Sequence, residues 1–234
     1  MKLIGLLGGL GWESSSLYYR MLNEFTQREL GGHHTARILL HSVDNGLIKE
    51  SSSKGDFDNV VSLLCEAGRS LRAGGADFIV MANNAMHQFA DQIEHASGID
   101  FLHISDPTGA EIQEAGHRTV ALLGTRATME GNFYSQRFQL NSGAKIVTPE
   151  EKERIEVNRI IYDELGRGIL RPASRDFMKA LIRKLQDRGA EALVLGCSEL
   201  TAIVTPERDA MRIYDTTRLH AKAAVKRALE VTYA

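Results

Sequence analysis

The chain carries one short segment twice, first as Gly75-Ala76-Asp77-Phe78-Ile79-Val80-Met81 and again as Gly189-Ala190-Glu191-Ala192-Leu193-Val194-Leu195. In both copies a Gly-Ala turn and an acidic residue lead into four apolar residues, a pattern typical of a buried strand. Further short apolar runs alternate along the chain with longer stretches of helical periodicity. This alternation predicts an α/β fold with mostly parallel sheets.

Two other pairs of segments flank this repeat in the same order. Residues 4–9 resemble residues 120–125 near the start of each copy, and residues 104–108 resemble residues 213–217 near the end. Because the three matches keep their order, we predict two similar α/β halves that face each other across a ligand-binding cleft.

The composition excludes several classes of protein. With 28 basic and 30 acidic residues the net charge is −2, which argues against a general nucleic-acid or membrane-surface binder. No apolar run approaches the ~20 residues of a membrane helix, and no secretory leader is expected at the N-terminus. The two cysteines, Cys65 and Cys197, rule out a disulfide scaffold. The sequence thus predicts a cytoplasmic protein whose partners include neither nucleic acid nor membrane.

The two cysteines differ in their surroundings. Cys65 borders the apolar stripe of a helix predicted over residues 56–73, where a small buried residue is expected. Cys197 instead directly follows a predicted strand, and the repeat gives Asn83 the same position in the first half. Ligands bind beyond such carboxyl ends of parallel strands. A helix predicted to start after Cys197 favours a lowered thiol pKa, which makes Cys197 the candidate catalytic residue.

Cofactor motifs are weak or missing in the sequence. Gly9-Leu10-Gly11 starts a dinucleotide fingerprint, but Ser14 stands where its third glycine belongs, so a tight strand–helix turn explains the glycines. The eight histidines show no metal-ligand spacing, and no pattern marks a lysine for pyridoxal phosphate. We therefore expect neither a metal nor an organic cofactor.

Several longer motifs resemble one protein family nearly from end to end. They are Gly8-Gly9-Leu10-Gly11-Trp12-Glu13-Ser14-Ser15 with Tyr18-Tyr19, Ser42-Val43-Asp44, Asn84-Ala85-Met86-His87, Gly124-Thr125-Arg126-Ala127-Thr128-Met129, Gly196-Cys197-Ser198-Glu199-Leu200, and Asp215-Thr216-Thr217 with Leu219-His220. Through them the chain resembles the cofactor-independent aspartate/glutamate racemases. The resemblance implies two pseudo-symmetric α/β domains, an active site in the cleft between them, and a homodimer. It places the first domain in residues 1–105 with a returning helix in 216–234, and the second in residues 106–215.

The resemblance also implies a reaction. Racemisation removes the Cα hydrogen from one face of an amino acid and returns a proton to the other, which calls for an acid/base group on each face. In most of the family both groups are cysteine, and in a subgroup linked to L-aspartate and L-glutamate the first is threonine. Here Cys197 matches the second position, but the first is Asn83, whose amide is neither a base nor an effective acid. With Asn83 at this position, two explanations stay open. The enzyme is impaired or engineered, or the proton for the second face comes from a water held by Asn83, from His87 or from Thr128.

By the same resemblance, a further set of residues is expected near the substrate: Leu10, Trp12, Ser52, Asn84, Ala85, Thr125, Thr128 and Ser198. Capping of a helix is the alternative explanation of Thr125 and Thr128. A substrate with an acidic side chain needs a cation, for which Lys49, Arg126 and Arg167 are candidates.

The sequence therefore predicts an amino-acid racemase that interconverts the enantiomers of aspartate, glutamate or both, with Cys197 as its acid/base thiol. Two alternatives stay open. A one-cysteine decarboxylase of the same superfamily would use the lone thiol to protonate an enediolate on a single face. A catalytically silent amino-acid or dicarboxylate binding protein would need no acid/base group in the place of Asn83.

Overall fold

The computed structural model describes residues 1–205 and 211–230, and the chain divides into two compact units. Unit 1 comprises Met1–Ile104 together with the chain from His220 onward, and unit 2 comprises Ser105–Leu219. Each unit contains a four-stranded sheet whose paired strands are all parallel. The predicted α/β class with parallel sheets is therefore confirmed.

Strands and helices alternate along the chain. The strands are β1 (Ile4–Gly8), β2 (Ile38–Ser42), β3 (Phe78–Met81), β4 (Asp100–Leu102), β5 (Thr119–Gly124), β6 (Lys145–Val147), β7 (Ala192–Gly196) and β8 (Arg212–Asp215). The α-helices are α1 (Trp12–Leu30), α2 (Asn45–Ser53), α3 (Phe57–Ala73), α4 (Ala90–Ser97), α5 (Ser105–Glu114), α6 (Arg126–Glu130), α7 (Asn132–Ser142), α8 (Glu151–Arg159), α9 (Pro172–Asp187) and α10 (Thr216–Leu229). Within the described residues, no helix is both long enough and apolar enough to cross a bilayer.

The sheet of unit 1 has the strand order β2-β1-β3-β4 and buries both of its faces. Successive side chains of β1 point to opposite faces, so Leu7 packs in one core with residues of α3 and α4. Ile4 and Leu6 pack in a second core with residues of α1 and α10. Because both faces are covered, β1 forms an unbroken apolar run, as buried parallel strands do.

The sheet of unit 2 has the equivalent order, β6-β5-β7-β8. Strands β5 and β7 stay paired from Val120 opposite Ala192 to Gly124 opposite Gly196. Alternate residues of both strands pack in a core with α8 and α9. The doubled segments of the sequence are therefore β3 and β7, the strands next to β1 and β5 in their sheets.

The last strand of each sheet departs from the predicted repeat. Strands β4 and β8 pair with β3 and β7 in equivalent registers, which makes Phe101 the counterpart of Ile213. The sequence instead matched Ile104 to Ile213. That match was wrong because Ile104 lies beyond the end of β4, where the chain turns into α5.

The helical segments predicted after the two candidate strand ends begin as 3-10 helices. One spans Ala85–Phe89 in unit 1 and continues directly into α4, whereas the other spans Ser198–Ala202 in unit 2 and ends there. A single 3-10 turn aligns few peptide dipoles, so it offers much less favourable electrostatics to an anion than a long α-helix.

Candidate active site

Asn83 and Cys197 hold the same topological position in their units. Met81 of β3 pairs with Leu7 of β1, and Leu195 of β7 pairs with Leu123 of β5, in equivalent registers. Asn83 and Cys197 each come two residues after these paired positions, beyond the carboxyl end of a central strand. Ligand-binding residues of parallel α/β sheets lie at this edge.

Cys197 is buried, and its thiol has an acidic neighbour. Cys197 Sγ donates a hydrogen bond to Glu199 Oε2 over 2.9 Å, and the Ser198 hydroxyl donates to the same oxygen over 2.9 Å. The Leu200 N–H bonds the Cys197 carbonyl at 3.3 Å, which closes the turn that brings Glu199 back to the thiol. The carboxylate of Glu199 is thus placed to accept the thiol proton.

The pKa of Cys197 moves in the opposite direction to the sequence prediction. Burial raises it well above the ordinary thiol value, and the charge of Glu199 and the hydrogen bond to it raise it further. The backbone N–H groups of Glu199 and Leu200 act against this rise, and their effect is smaller. The expected lowering was wrong chiefly because Cys197 is buried, and secondly because the turn that follows it places the charge of Glu199 beside the thiol. The resting form is therefore the thiol.

Two glycines and a threonine pack together at the ends of β5 and β7, directly before Cys197. Gly124 and Gly196 are paired at the ends of β5 and β7, and the buried side chain of Thr128 packs over them. A Cβ atom added to Gly196 would lie 2.9 Å from Thr128 Cγ2, so only glycine fits there without movement. Thr125 caps α6, and its Oγ1 lies 3.2 Å from Thr128 Oγ1. The capping explanation of Thr125 thus has direct structural support.

Tyr162, an exposed residue for which the sequence gave no signal, is a further candidate near the site. It lies in a π-helical turn, Ile160–Glu164, which follows α8. The 3-10 helix Leu165–Arg167 comes next and contacts the 3-10 helix after Cys197. Partial burial raises the pKa of the Tyr162 hydroxyl, and the negative charge of Glu199, together with that of Cys197 when it is a thiolate, raises it further. Single π turns inside helices are frequent at functional sites because they re-aim side chains.

Asn83 uses its side chain to hold the backbone around it. Its Oδ1 accepts a hydrogen bond from the Met86 N–H at 3.0 Å, and its Nδ2 donates to the Leu10 carbonyl at 3.1 Å. The Asn83 carbonyl accepts from His87 Nδ1 at 2.6 Å. Both ends of the amide are therefore engaged, and Asn83 links the loop after β1 to the turn after β3.

The structure brings some of the predicted substrate-binding residues of unit 1 together. Leu10 contacts Asn83 through the bond just described, and Asn84 and Ala85 follow directly at the start of the 3-10 helix. Trp12, the first residue of α1, is 69% exposed. Ser52 lies on α2, and its buried Oγ has no hydrogen-bond partner among the described residues. No described hydrogen bond connects Ser52 with Asn83.

The three candidate cations for a substrate carboxylate differ in how strongly they are already paired with an acidic side chain. Arg126 binds Glu130 with two hydrogen bonds of 3.1 Å, so its guanidinium is already neutralised. Arg167 is exposed and lies 4.0 Å from Asp163. Lys49 is exposed on α2, the helix that carries Ser52. Arg126 is therefore the weakest of the three candidates.

Comparison with known proteins identifies the family. A family model described as Asp/Glu/hydantoin racemase matches residues 7–224. The chain belongs to the Asp/Glu/hydantoin racemase family. The broad specificity amino-acid racemase of Bacillus subtilis (strain 168) is 23% identical over 229 residues, which are 95% of this chain and 96% of that protein.

Solved structures of other members of the Asp/Glu/hydantoin racemase family have the same fold. A Yersinia pestis protein provisionally named an Asp/Glu racemase is 43% identical, with a TM-score of 0.94 over 98% of this chain and 100% of that one. An aspartate racemase homologue from Pyrococcus horikoshii OT3 is 26% identical, with a TM-score of 0.86 and the same coverage. The predicted resemblance and the predicted enzyme class, an amino-acid racemase, are confirmed at the level of the family.

Sequence reasoning missed two partners of the candidate residues. Glu199 stands inside the Gly-Cys-Ser-Glu-Leu segment that carried the resemblance, so an acid close to the thiol was a readable signal. His87, which the sequence offered as a capping or core histidine or as a proton donor, is buried and bonds the Asn83 carbonyl. Among residues 1–205 and 211–230, no three His, Cys, Asp or Glu side chains are grouped to hold a metal ion.

Proposed function

We propose that this protein is a cofactor-independent racemase that interconverts the enantiomers of aspartate, glutamate or both, with Cys197 as its acid/base thiol. The observation that carries the proposal is the 2.9 Å hydrogen bond from the Cys197 thiol to Glu199, at the strand end where such folds bind ligands. Family membership and the named racemases among its relatives support the reaction class.

In the proposed first step, Glu199 generates the thiolate. The Sγ proton moves along the existing hydrogen bond to Glu199 Oε2, which leaves one negative charge on sulfur instead of two on adjacent groups. The backbone N–H groups of Glu199 and Leu200 then stabilise the thiolate. A high resting pKa is thus compatible with catalysis, because the thiol has an acceptor for its proton beside it.

In the second step, the thiolate takes the Cα proton as that C–H bond breaks. The electron pair of the bond is delocalised into the α-carboxylate, and Cys197 becomes a neutral thiol again. Return of a proton from Cys197 to carbon regenerates the starting enantiomer, and Glu199 then gives its proton back to sulfur. Return of a solvent-derived proton to the other face gives inversion, and Glu199 then releases its proton to solvent, which restores the starting state of the enzyme. We assign no proton transfer to Asn83, because a carboxamide does not accept a proton from carbon at neutral pH. Its proposed role is to hold the Leu10 segment.

The remaining expectations belong to the same proposal. The substrate would be held by the residues expected from the resemblance: Leu10, Trp12, Ser52, Asn84, Ala85, Thr125, Thr128 and Ser198. The protein would act in the cytoplasm as a homodimer, and light scattering of the purified protein tests the dimer. The two free cysteines, Cys65 and Cys197, are consistent with a reducing compartment.

Hydrogen exchange in deuterated water tests the proposal. Each enantiomer of aspartate and glutamate is incubated with the protein without pyridoxal phosphate, and Cα deuterium and optical rotation are followed together. We expect deuterium incorporation and slow loss of optical rotation, both abolished in Cys197→Ala. Cys65→Ala is the matched control, because its thiol is also buried but bonds the Gln92 carbonyl away from the site.

Three other outcomes would count against the proposal in different ways. Saturable binding of an amino acid without exchange would indicate a silent binding protein. Loss of carbon dioxide from a malonate-type substrate, with no exchange of amino acids, would indicate the decarboxylase. Full activity of Cys197→Ala would remove the thiol from the mechanism whatever the substrate.

A further inference from the structure

Three histidines of unit 1 form a buried cluster that the proposed reaction leaves without a role. His87, His103 and His220 are 2%, 3% and 0% exposed. The His87 ring lies edge-on to both of the others, with centroid distances of 4.8 Å to His103 and 5.6 Å to His220. Most buried polar groups have hydrogen-bond partners, so the partner of a ring nitrogen indicates whether that nitrogen carries a proton.

The partners of His220 fix its protonation pattern. Its Nε2 lies 2.8 Å from the Leu102 carbonyl, which can only accept, so Nε2 carries the proton. Its Nδ1 lies 2.7 Å from the Tyr18 hydroxyl, which donates to it when the ring is neutral. This pair of bonds connects α10, α1 and the end of β4.

The same reasoning applies to His87, with a different result. Its Nδ1 lies 2.6 Å from the Asn83 carbonyl, so Nδ1 carries the proton and donates it. Its Nε2 is buried and has no hydrogen-bond partner among the described residues. Burial and the neighbouring His103 and His220 hold the pKa of His87 well below its usual value. His87 is therefore neutral, and the bond to Asn83 is its main polar contact.

We propose that His87 is a positioning residue for the proposed reaction, acting through the Asn83 carbonyl on the segment around Leu10. The carbonyl of Asn83 is held by His87, and its side chain holds Leu10 at 3.1 Å and Met86 at 3.0 Å. If the His87 bond is lost, the Asn83 peptide can rotate, and its amide no longer points at the Leu10 carbonyl. The inference rests on the proposed function only for its effect on turnover.

The positions of the two ring nitrogens of His87 suggest a matched pair of variants. In His87→Asn the side-chain NH₂ occupies the place of Nδ1 and can still donate to the Asn83 carbonyl. In His87→Gln the NH₂ lies near the place of Nε2, although the side chain fills more of the imidazole volume. A purely structural role favours the larger glutamine, whereas the positioning role favours asparagine.

The first readout does not depend on activity. The Asn83 side-chain amide gives a pair of signals in a ¹H–¹⁵N NMR spectrum, assigned through Asn83→Ser, and its bond to Leu10 shifts them from free-amide values. We expect the shift to persist in His87→Asn and to collapse in His87→Gln. An unchanged amide signal in a folded His87→Gln protein would overturn the proposal. If His87→Gln fails to fold, the ¹⁵N shifts of His87 in the wild-type protein decide, because a proton on Nε2 rather than Nδ1 also overturns it.

The second readout is the Cα–deuterium exchange of aspartate and glutamate. We expect kcat for exchange to fall at least ~30-fold in His87→Gln and less than ~3-fold in His87→Asn, because small displacements of positioned groups cost up to about a hundredfold. Equal rates in the two folded variants would contradict the proposal. Wild-type protein without any exchange would refute the proposed function instead, and the amide signals would then judge His87 alone.

Discussion

Replacement of Glu199 by glutamine separates two effects that the acid has on Cys197. The change keeps the shape of the side chain but removes the charge next to the thiol, whose Sγ lies 2.9 Å from Glu199 Oε2. Like charges about 4 Å apart repel by about 4 kcal/mol at an effective dielectric constant of about 20. This energy corresponds to up to a ~1000-fold change in the ionisation equilibrium. We therefore expect Glu199→Gln to lower the pKa of Cys197, so that the thiol is alkylated ~10-fold to ~1000-fold faster at a fixed neutral pH.

Catalysis should respond in the opposite direction. The variant holds more thiolate at neutral pH, but it has lost the group that accepts the thiol proton and returns it. General-base assistance typically contributes 10²–10⁴-fold, so we expect Cα exchange to fall by about that factor. Faster alkylation of the thiol together with slower Cα exchange would show that the Glu199 carboxylate acts as the proton acceptor.

The pKa is measured from the pH dependence of alkylation by iodoacetamide, in a Cys65→Ser background that leaves a single thiol. Ser198→Ala is the matched control, because it removes the other hydrogen bond to Glu199 Oε2 without removing the charge. A thiol pKa that is unchanged or higher in Glu199→Gln would refute the electrostatic reasoning. Exchange that stays at the wild-type rate would refute the role of Glu199 as proton acceptor.

Three more predictions concern stability and the two strand ends. Below about pH 6.5 His87 is protonated in the unfolded chain but stays neutral in the folded protein, where its pKa is lowered. Acidification should therefore lower the free energy of unfolding by up to about 1.4 kcal/mol per pH unit. In urea unfolding, His87→Gln should show a shallower dependence of this free energy on pH. Gly196→Ala should cost about 1–3 kcal/mol against Thr128, with partial rescue by Thr128→Ser in the same assay. Asn83→Cys should raise the ratio of racemisation to Cα exchange at least ~10-fold, because it supplies an acid/base group for the second face, and it should cost about 1 kcal/mol because the Leu10 carbonyl loses its donor. An unchanged ratio in the folded variant would contradict this.

The doubled segment made the sheets predictable because its physics is local. Phe78–Met81 and Ala192–Gly196 are apolar throughout, and only strands buried on both faces sustain such runs. Strand β8 was less visible because its two apolar residues stand between Arg212 and Asp215 at a sheet edge. The equivalence of Asn83 and Cys197 followed from the repeat, since β3 and β7 pair with β1 and β5 in equivalent registers.

The chemistry around these two positions was less predictable because it depends on contacts between distant parts of the chain. His220 is hydrogen-bonded to Tyr18, which is 202 residues away in the sequence, and no local sequence pattern indicates that pair. The direction of the Cys197 pKa shift depended on how deeply the thiol is buried and on the charge of Glu199 in the short turn that follows the strand. Sequence periodicity does not resolve a five-residue 3-10 helix from the first turn of an α-helix.

The two strand ends also differ in what the following turn contributes, and this difference has a kinetic consequence. After Cys197 the turn supplies Glu199, a proton acceptor in contact with a group that can exchange hydrogen with carbon. After Asn83 it supplies His87, whose only bonded proton is committed to a backbone carbonyl. One exchanging group on one face of Cα returns most protons to the face they left. Deuterium incorporation with retained configuration should therefore outpace loss of optical rotation, whereas a chain with two equivalent acid/base groups would show comparable rates for both.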